Sequence, residues 1–245
     1  MSGLRKQART AGLLYALMAV VASIGLMVVP SQVFVAGNVA ATAENLRRSE
    51  GLVRLGIVSE LVHQTIAIFL VLALYRLFRD VNERLAKQLV VLGALVSVPI
   101  VFVNVLNEVA ALTLAGNAEF LTVLAKPQLD ALAYLFLNLH GQGIVVASIF
   151  WGLWLFPFGM LIIRSGFIPR VLGVLLLIAG AGYLIGSFTT LALPAYAPLV
   201  SRFVSPLVVG ELPIIFWLLI WGVKTRPAEM DTAARESTAA APVTS

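Results

Sequence analysis

Six stretches of unbroken apolar sequence, at about residues 10–30, 52–76, 88–115, 129–163, 170–192 and 206–223, divide the chain, with short polar segments between them. Each is near or above the roughly 18 residues a helix needs to cross a hydrocarbon core. The runs are continuous rather than alternating. Lipid offers no water to backbone groups, so this pattern predicts helices and argues against a barrel. The connections carry their own signals: Asp80-Val81-Asn82-Glu83 reads as a tight turn, and Ser165-Gly166-Phe167-Ile168-Pro169 puts Pro169 at the start of the fifth helix. Residues 38–50 place Val39, Ala43 and Leu46 on one helical face beside Glu44, Arg47 and Arg48, which suits a short interfacial helix; a solvated loop is the alternative. The Ala41-Thr42-Ala43 triplet resembles a signal-peptide cleavage site, but an apolar run of about 20 residues is too long for an h-region, so the first span is expected to be retained.

Composition narrows the class. A hydrophobic content of 60% with 12% charged residues leaves too little polar surface for a soluble domain. The expected fold is therefore an all-α integral membrane bundle of six transmembrane helices over residues 1–224. The Ala-, Thr- and Pro-rich segment 225–245 has nothing to bury and is expected to be a disordered cytoplasmic tail. The absence of cysteine removes disulfides, thiolate metal sites and cysteine nucleophiles. The net charge of +5 comes from basic residues at helix ends, which orient a membrane protein rather than bind nucleic acid. Assigning both termini to the cytoplasm puts Arg5, Lys6, Arg9, Arg76, Arg79, Arg84, Lys87, Arg164, Arg170, Lys224, Arg226 and Arg235 inside. Arg47, Arg48, Arg54, Lys126 and Arg202 are then outside, a clear positive-inside bias.

Five ionisable side chains interrupt the spans: Glu60, His63, Glu108, His140 and Glu211. Such a group at membrane depth costs roughly 2.5–3.5 kcal/mol on insertion scales, so it usually faces a bundle interior or a wet cavity. At 1.5 Å per residue, Glu60 lies about 12 Å below the outer surface, Glu108 about 10 Å, His140 about 16 Å and Glu211 about 8 Å, one polar layer in the outer half of the bilayer. Asn104, Asn107, Asn138 and Gln142 add amides to it. Helical spacing puts Glu60, His63 and Gln64 on one face, and Asn104, Asn107 and Glu108 on another. Gly141 and Gly143 beside His140 permit close approach of a backbone or ligand. Interhelical hydrogen bonding is the bland explanation for any one of these residues, but three glutamates gathered for structure alone would be an expensive arrangement. Pro99, Pro157 and Pro213 read as kinks, Gly182-x-x-x-Gly186 as helix packing, and Trp151, Trp154, Trp217 and Trp221 mostly as belt or packing residues.

A short internal repeat is also visible. Arg9-Thr-Ala-Gly12 with Ile24-Gly25 is matched by Arg170-Val-Leu-Gly173 with Ile185-Gly186, and Ile57-Val-Ser-Glu-Leu61 by Val208-Val-Gly-Glu-Leu212. It predicts that helices 1–2 and 5–6 are copies of one hairpin and that Glu60 and Glu211 are equivalent.

From Ala8 to Val223 the chain resembles a bacterial family of multi-spanning membrane proteins, domain of unknown function 4386. The likeness rests on Ala-Gly-Leu-Leu-Tyr15, Ser49-Glu-Gly-Leu-Val-Arg-Leu-Gly56, Leu-His-Gly around His140, Ser165-Gly-Phe-Ile-Pro-Arg-Val-Leu-Gly173 and Gly210-Glu-Leu212. The resemblance implies the bacterial cytoplasmic (inner) membrane, and an acidic residue at Glu60, a histidine at His140 and a glutamate at Glu211 as typical features, with His63 not among them. It implies no activity.

Three functional classes fit the polar layer. An acid–base enzyme would use Glu60, His140 and Glu211 as catalytic groups on a lipophilic small molecule such as an isoprenoid, with one glutamate as acid and the other, beside His140, as base. Asn104, Asn107, Glu108, Asn138, Gln142 and Trp151 would bind substrate, and Phe102, Phe150 and Trp151 would stabilise a cation. A metal or haem protein would draw its ligands from Glu60, His63, Glu108, His140 and Glu211. A transporter or sensor would bind a cation or proton there. Membrane lipid is the expected surrounding partner in every case.

Overall fold

A computed structural model describes residues 2–116 and 118–223; the expected tail and the basic residues Lys224, Arg226 and Arg235 lie outside the described residues. Six helices are long and apolar enough to cross a membrane: α1 (Gly3–Val33), α3 (Glu50–Phe78), α4 (Glu83–Ala115), α5 (Lys126–Ser165), α6 (Arg170–Ala192) and α7 (Pro194–Ile220). A short α2 (Val39–Arg48) joins the first two. No strand occurs among the described residues. The observed helices extend the expected spans at most ends, because hydrogen-bonded turns continue past the point where the sequence becomes polar.

Local chemistry fixes where the helices begin and end. Asn82 Oδ1 accepts from the Leu85 N–H at 3.0 Å and starts α4. Gly166, at φ +70°, ends α5 in the left-handed conformation, three residues before Pro169. Pro30 and Pro99 have no N–H to give the carbonyls of Leu26 and Leu95, and just before each the helix widens into a π turn, at Ile24–Val28 and Val91–Val96. Pro213 likewise leaves Val209 without an α-helical donor, and a 3₁₀ turn at Val209–Glu211 precedes it. These irregular turns flank the polar groups described below.

The helices close into a ring, α1 on α3, α3 on α4, α4 on α5, α5 on α6, α6 on α7, and α7 back on α1. Between α5 and α6 the backbones approach through facing glycines: a Cβ on Gly159 would sit 2.6 Å from the Gly173 carbonyl oxygen, and one on Gly152 2.9 Å from that of Gly180. Gly182 and Gly186 do the same service against Leu207 and Val204 of α7. The start of α1 and the end of α7 meet at one end of the bundle, where the Arg9 guanidinium donates to the Ile220 carbonyl at 2.9 Å.

Along its length the interior is layered. Toward the end carrying the termini is a large apolar core that includes Tyr15, Leu74, Phe78, Leu89, Leu155 and Phe158. Toward the opposite end is a smaller one with Val29, Leu46, Val53, Ala111, Leu112 and Ala133. The residue order on α3, α4 and α5 places the polar groups between the two.

The helix expected at residues 38–50 forms, with Asn38 Oδ1 capping the Ala41 N–H at 3.0 Å. Its apolar face does not lie in lipid. Ala43 and Leu46 are buried, Leu46 in the smaller core, and Arg47 pairs with Asp130 of α5 at 2.7 Å, while Lys126 holds the other carboxylate oxygen at 2.8 Å. Trp154 also departs from a belt role, being buried in the larger core and stacked on Phe158.

Candidate functional site

Three helices bring Glu60, Glu108 and His140 together. His140 Nε2 lies 3.1 Å from Glu60 Oε2 and 3.9 Å from Glu108 Oε2, and one potential ligand atom from each residue falls within 4.8 Å of the others. Their exposures are 0, 2 and 6% in chain order, so lipid and bulk water are both kept away. Each sits about 10–21 Å along its helix from the end carrying α2, at 1.5 Å per residue.

Neighbours hold these groups in place. Gly25, inside the π turn of α1, lets that helix lie against Glu60: a Cβ there would come 2.6 Å from Glu60 Cγ and 2.8 Å from Ser59 Oγ. On the other side, Asn104 Nδ2 donates to the His140 carbonyl at 2.9 Å, and Asn107 Nδ2 donates to Asn104 Oδ1 at 3.0 Å. Asn104 occupies the space that a Cβ on Gly143 would need. The amides expected to bind substrate therefore divide: Asn104, with Asn107 behind it, is bonded to the His140 backbone, whereas Asn138 and Gln142 are exposed at the rim of a cavity of about 160 Å³ lined also by Glu108 and His140.

The cluster's hydrogen bonding is incomplete. Glu60 Oε1 and Glu108 Oε2 are buried and have no hydrogen-bond partner. Among the described residues neither carboxylate pairs with lysine or arginine. With both carboxylates ionised and His140 protonated, one negative charge would still be uncompensated in a low-dielectric interior, an arrangement that favours a bound cation or an extra proton.

Glu211 lies elsewhere. It accepts a hydrogen bond from the Tyr15 hydroxyl at Oε1, and the Tyr183 hydroxyl approaches Oε2 at 3.4 Å. These contacts follow from α7 packing on α1 and α6. The single layer expected to join Glu60, His140 and Glu211 is thus resolved into two neighbourhoods, and the proposed equivalence of Glu60 and Glu211 does not extend to their partners. His63 is also apart from the cluster. Three residues along a helix rotate a side chain by about 60° from its predecessor, and this turn points His63 to Gln64, 3.1 Å away, and edge-on to Trp151 with ring centres 6.5 Å apart. Trp151 donates to Ser97 Oγ at 2.8 Å. His63, Gln64, Trp151 and Glu211 line a second, larger cavity of about 460 Å³. Phe102 is 39% exposed, and Phe150 lines neither cavity, so the expected aromatic wall reduces to Trp151.

Tyr15 and Tyr183 were missed as site residues, although a tyrosine midway along an otherwise aliphatic span signals a hydroxyl in need of a partner. Gly25 stands out in the sequence only through the Ile24-Gly25 match of the repeat; its contact with Glu60 depends on which helix lies against it.

A profile of the family described as Domain of unknown function (DUF4386) matches residues 10–222. The chain is 38% identical over 76 residues to an uncharacterized protein of Archaeoglobus fulgidus, a match covering 31% of this chain and 44% of that protein. The chain thus spans less than half of that relative. No solved structure matches. The chain belongs to the DUF4386 family, and it is a multi-pass membrane protein with a buried Glu/His group.

Proposed function

We propose that Glu60, Glu108 and His140 bind a divalent metal ion in the outer half of the bacterial inner membrane, and that the resulting centre acts on a lipophilic small molecule such as an isoprenoid. The observation that carries this reading is the convergence of three buried donors, two of them carboxylates with an unpaired oxygen. Ligands on a tetrahedral ion at about 2.1 Å lie about 3.4 Å apart, and the 3.1 and 3.9 Å separations at His140 bracket that spacing. Imidazole with two carboxylates suits zinc, manganese or ferrous iron, and two ionised carboxylates would neutralise the ion. Asn104, braced by Asn107, then fixes the backbone that carries the histidine ligand. A haem held by two histidines fits less well, since His63 and His140 line different cavities. The cytoplasmic placement of both termini, and with it the outer position of the site, rests on the positive-inside bias.

One observation favours a metal-free alternative. The 3.1 Å contact between His140 and Glu60 is the geometry of a base held by a carboxylate, leaving Glu108 as the acid. Elemental analysis with an absorption spectrum decides between them. The metal reading expects about one ion per chain in wild type, lost in Glu60→Gln, Glu108→Gln and His140→Ala and kept in Glu211→Gln. A folded wild-type protein that neither retains nor takes up zinc, manganese or iron would overturn it and leave the acid–base pair.

A further inference from the structure

The 460 Å³ cavity is within the size range of small-molecule sites and has no part in the metal reading. Its walls are mostly apolar, and three of its lining residues, Met27, Val209 and Leu212, are 69, 56 and 45% exposed on the outer surface of α1 and α7. The cavity therefore opens sideways, toward lipid, between these two helices. A ligand would reach it from the bilayer rather than from water.

The polar groups inside are unbalanced. Glu211 presents two carboxylate oxygens that accept from Tyr15 and Tyr183, the second contact being long at 3.4 Å, which leaves acceptor capacity unused. Gln64, 2% exposed, spends its amide N–H on His63 and has no partner at Oε1. No lysine or arginine lines the cavity, its histidine, His63, has its Nε2 taken up by Gln64, and among the described residues Glu211 has no ion-pair partner. Trp151, Trp154, Tyr15 and Tyr183 contribute aromatic rings to the same space. Glu211 is half-buried, and a carboxylate facing an apolar chamber is costly without a counter-charge; aromatic faces attract a desolvated cation. What is missing from this chamber is a positively charged donor on a hydrophobic body.

We propose that the cavity between α1 and α7 binds a lipophilic amine, its ammonium hydrogen-bonded to Glu211 with Gln64 Oε1 accepting a further N–H, and its hydrocarbon chain directed to the lipid-facing mouth. The aromatic rings surround the charged head. A charge-assisted bond to the carboxylate makes the amine preferred over a neutral alcohol of equal chain length.

The test is a titration of the full chain in lipid nanodiscs with dodecylamine and with dodecanol, followed by tryptophan fluorescence, which Trp151 and Trp154 report from inside the cavity. Wild type is expected to bind the amine at least tenfold more tightly than the alcohol. Glu211→Gln should remove that preference while leaving alcohol binding within twofold, and His140→Ala should change neither, which separates this site from the metal centre. Equal binding of amine and alcohol to wild type, or unchanged amine affinity in Glu211→Gln, would overturn the proposal. Should Glu211→Gln fail to fold, Gln64→Leu takes its place: a severalfold loss of amine affinity is expected, and no loss overturns the assignment.

Discussion

Glu60 and Glu211 occupy similar sequence settings, each in an apolar span and each followed by leucine, yet their surroundings differ in kind. Glu60 meets a second carboxylate cluster member, Glu108, through a shared histidine, and two of the carboxylate oxygens are left without partners. Glu211 meets two phenols. The first neighbourhood sets two carboxyl groups around one imidazole; the second sets one carboxyl group against two phenols beside an apolar cavity. A glutamate in an apolar span is therefore not one kind of signal. Its role is set by which helices are brought against it.

The contrast is most sharply broken by removing a ligand. His140→Ala should reduce bound metal from about one ion per chain to background, whereas Glu211→Gln should leave the metal content intact, both measured on detergent-purified protein. Next in size is Gly143→Ala, which displaces Asn104 from its bond to the His140 carbonyl; a hydrogen bond of this kind is worth about 0.5–1.5 kcal/mol, which corresponds to at most about tenfold in metal affinity. Competition with a chelator would measure it, and an unchanged affinity would mean that Asn104 does not orient the histidine. Tyr15→Phe attacks the other neighbourhood. It leaves one Glu211 oxygen unpaired, at about 1–3 kcal/mol of stability, while Tyr183→Phe, which removes only the longer contact, should cost about 0.5 kcal/mol. Equal losses on thermal unfolding would show that the two phenols share the carboxylate evenly.

The smallest effect is expected far from both groups. Arg47→Ala releases α2 from Asp130, and a partly exposed pair of this kind contributes at most about 1 kcal/mol. The hydrogen bond to Asp130 raises the Arg47 guanidinium above its ordinary value. A raised basic group contributes its stability below the unfolded titration and loses it only above the folded one, so on the arginine's account the pairing should not vary between about pH 7 and 10. Proteolysis of the α2 segment across that range would check it, and a sharp rise in cleavage with pH would contradict it.

Much of the site could be found along the chain because charge in an apolar span is conspicuous. Glu60, Glu108 and His140 were legible for that reason, and Gly143 was noticed as a place of close approach. Asn104 was legible as a polar group, but its bond to the His140 carbonyl was not, since sequence spacing gives the face of a helix and not what lies across from it. His63 was misleading for a related reason: it shares a broad face with Glu60, but the remaining turn of about 60° is enough to send His63 to the larger cavity while Glu60 meets His140. Tyr15 and Tyr183 lie in helices 168 residues apart in number, and only their meeting at Glu211 gives either a role.

By itself the sequence determined that this is a helical membrane protein, roughly where its six spans run, and which few side chains are too costly to place in lipid without a purpose. Those properties follow from local hydropathy and from the backbone's need to satisfy its own hydrogen bonds. The tertiary structure alone decided that the polar residues fall into two neighbourhoods, because partnership depends on the order and rotation of helices around the bundle, and these are set by glycine contacts, proline-linked π turns and packing between residues far apart in the chain.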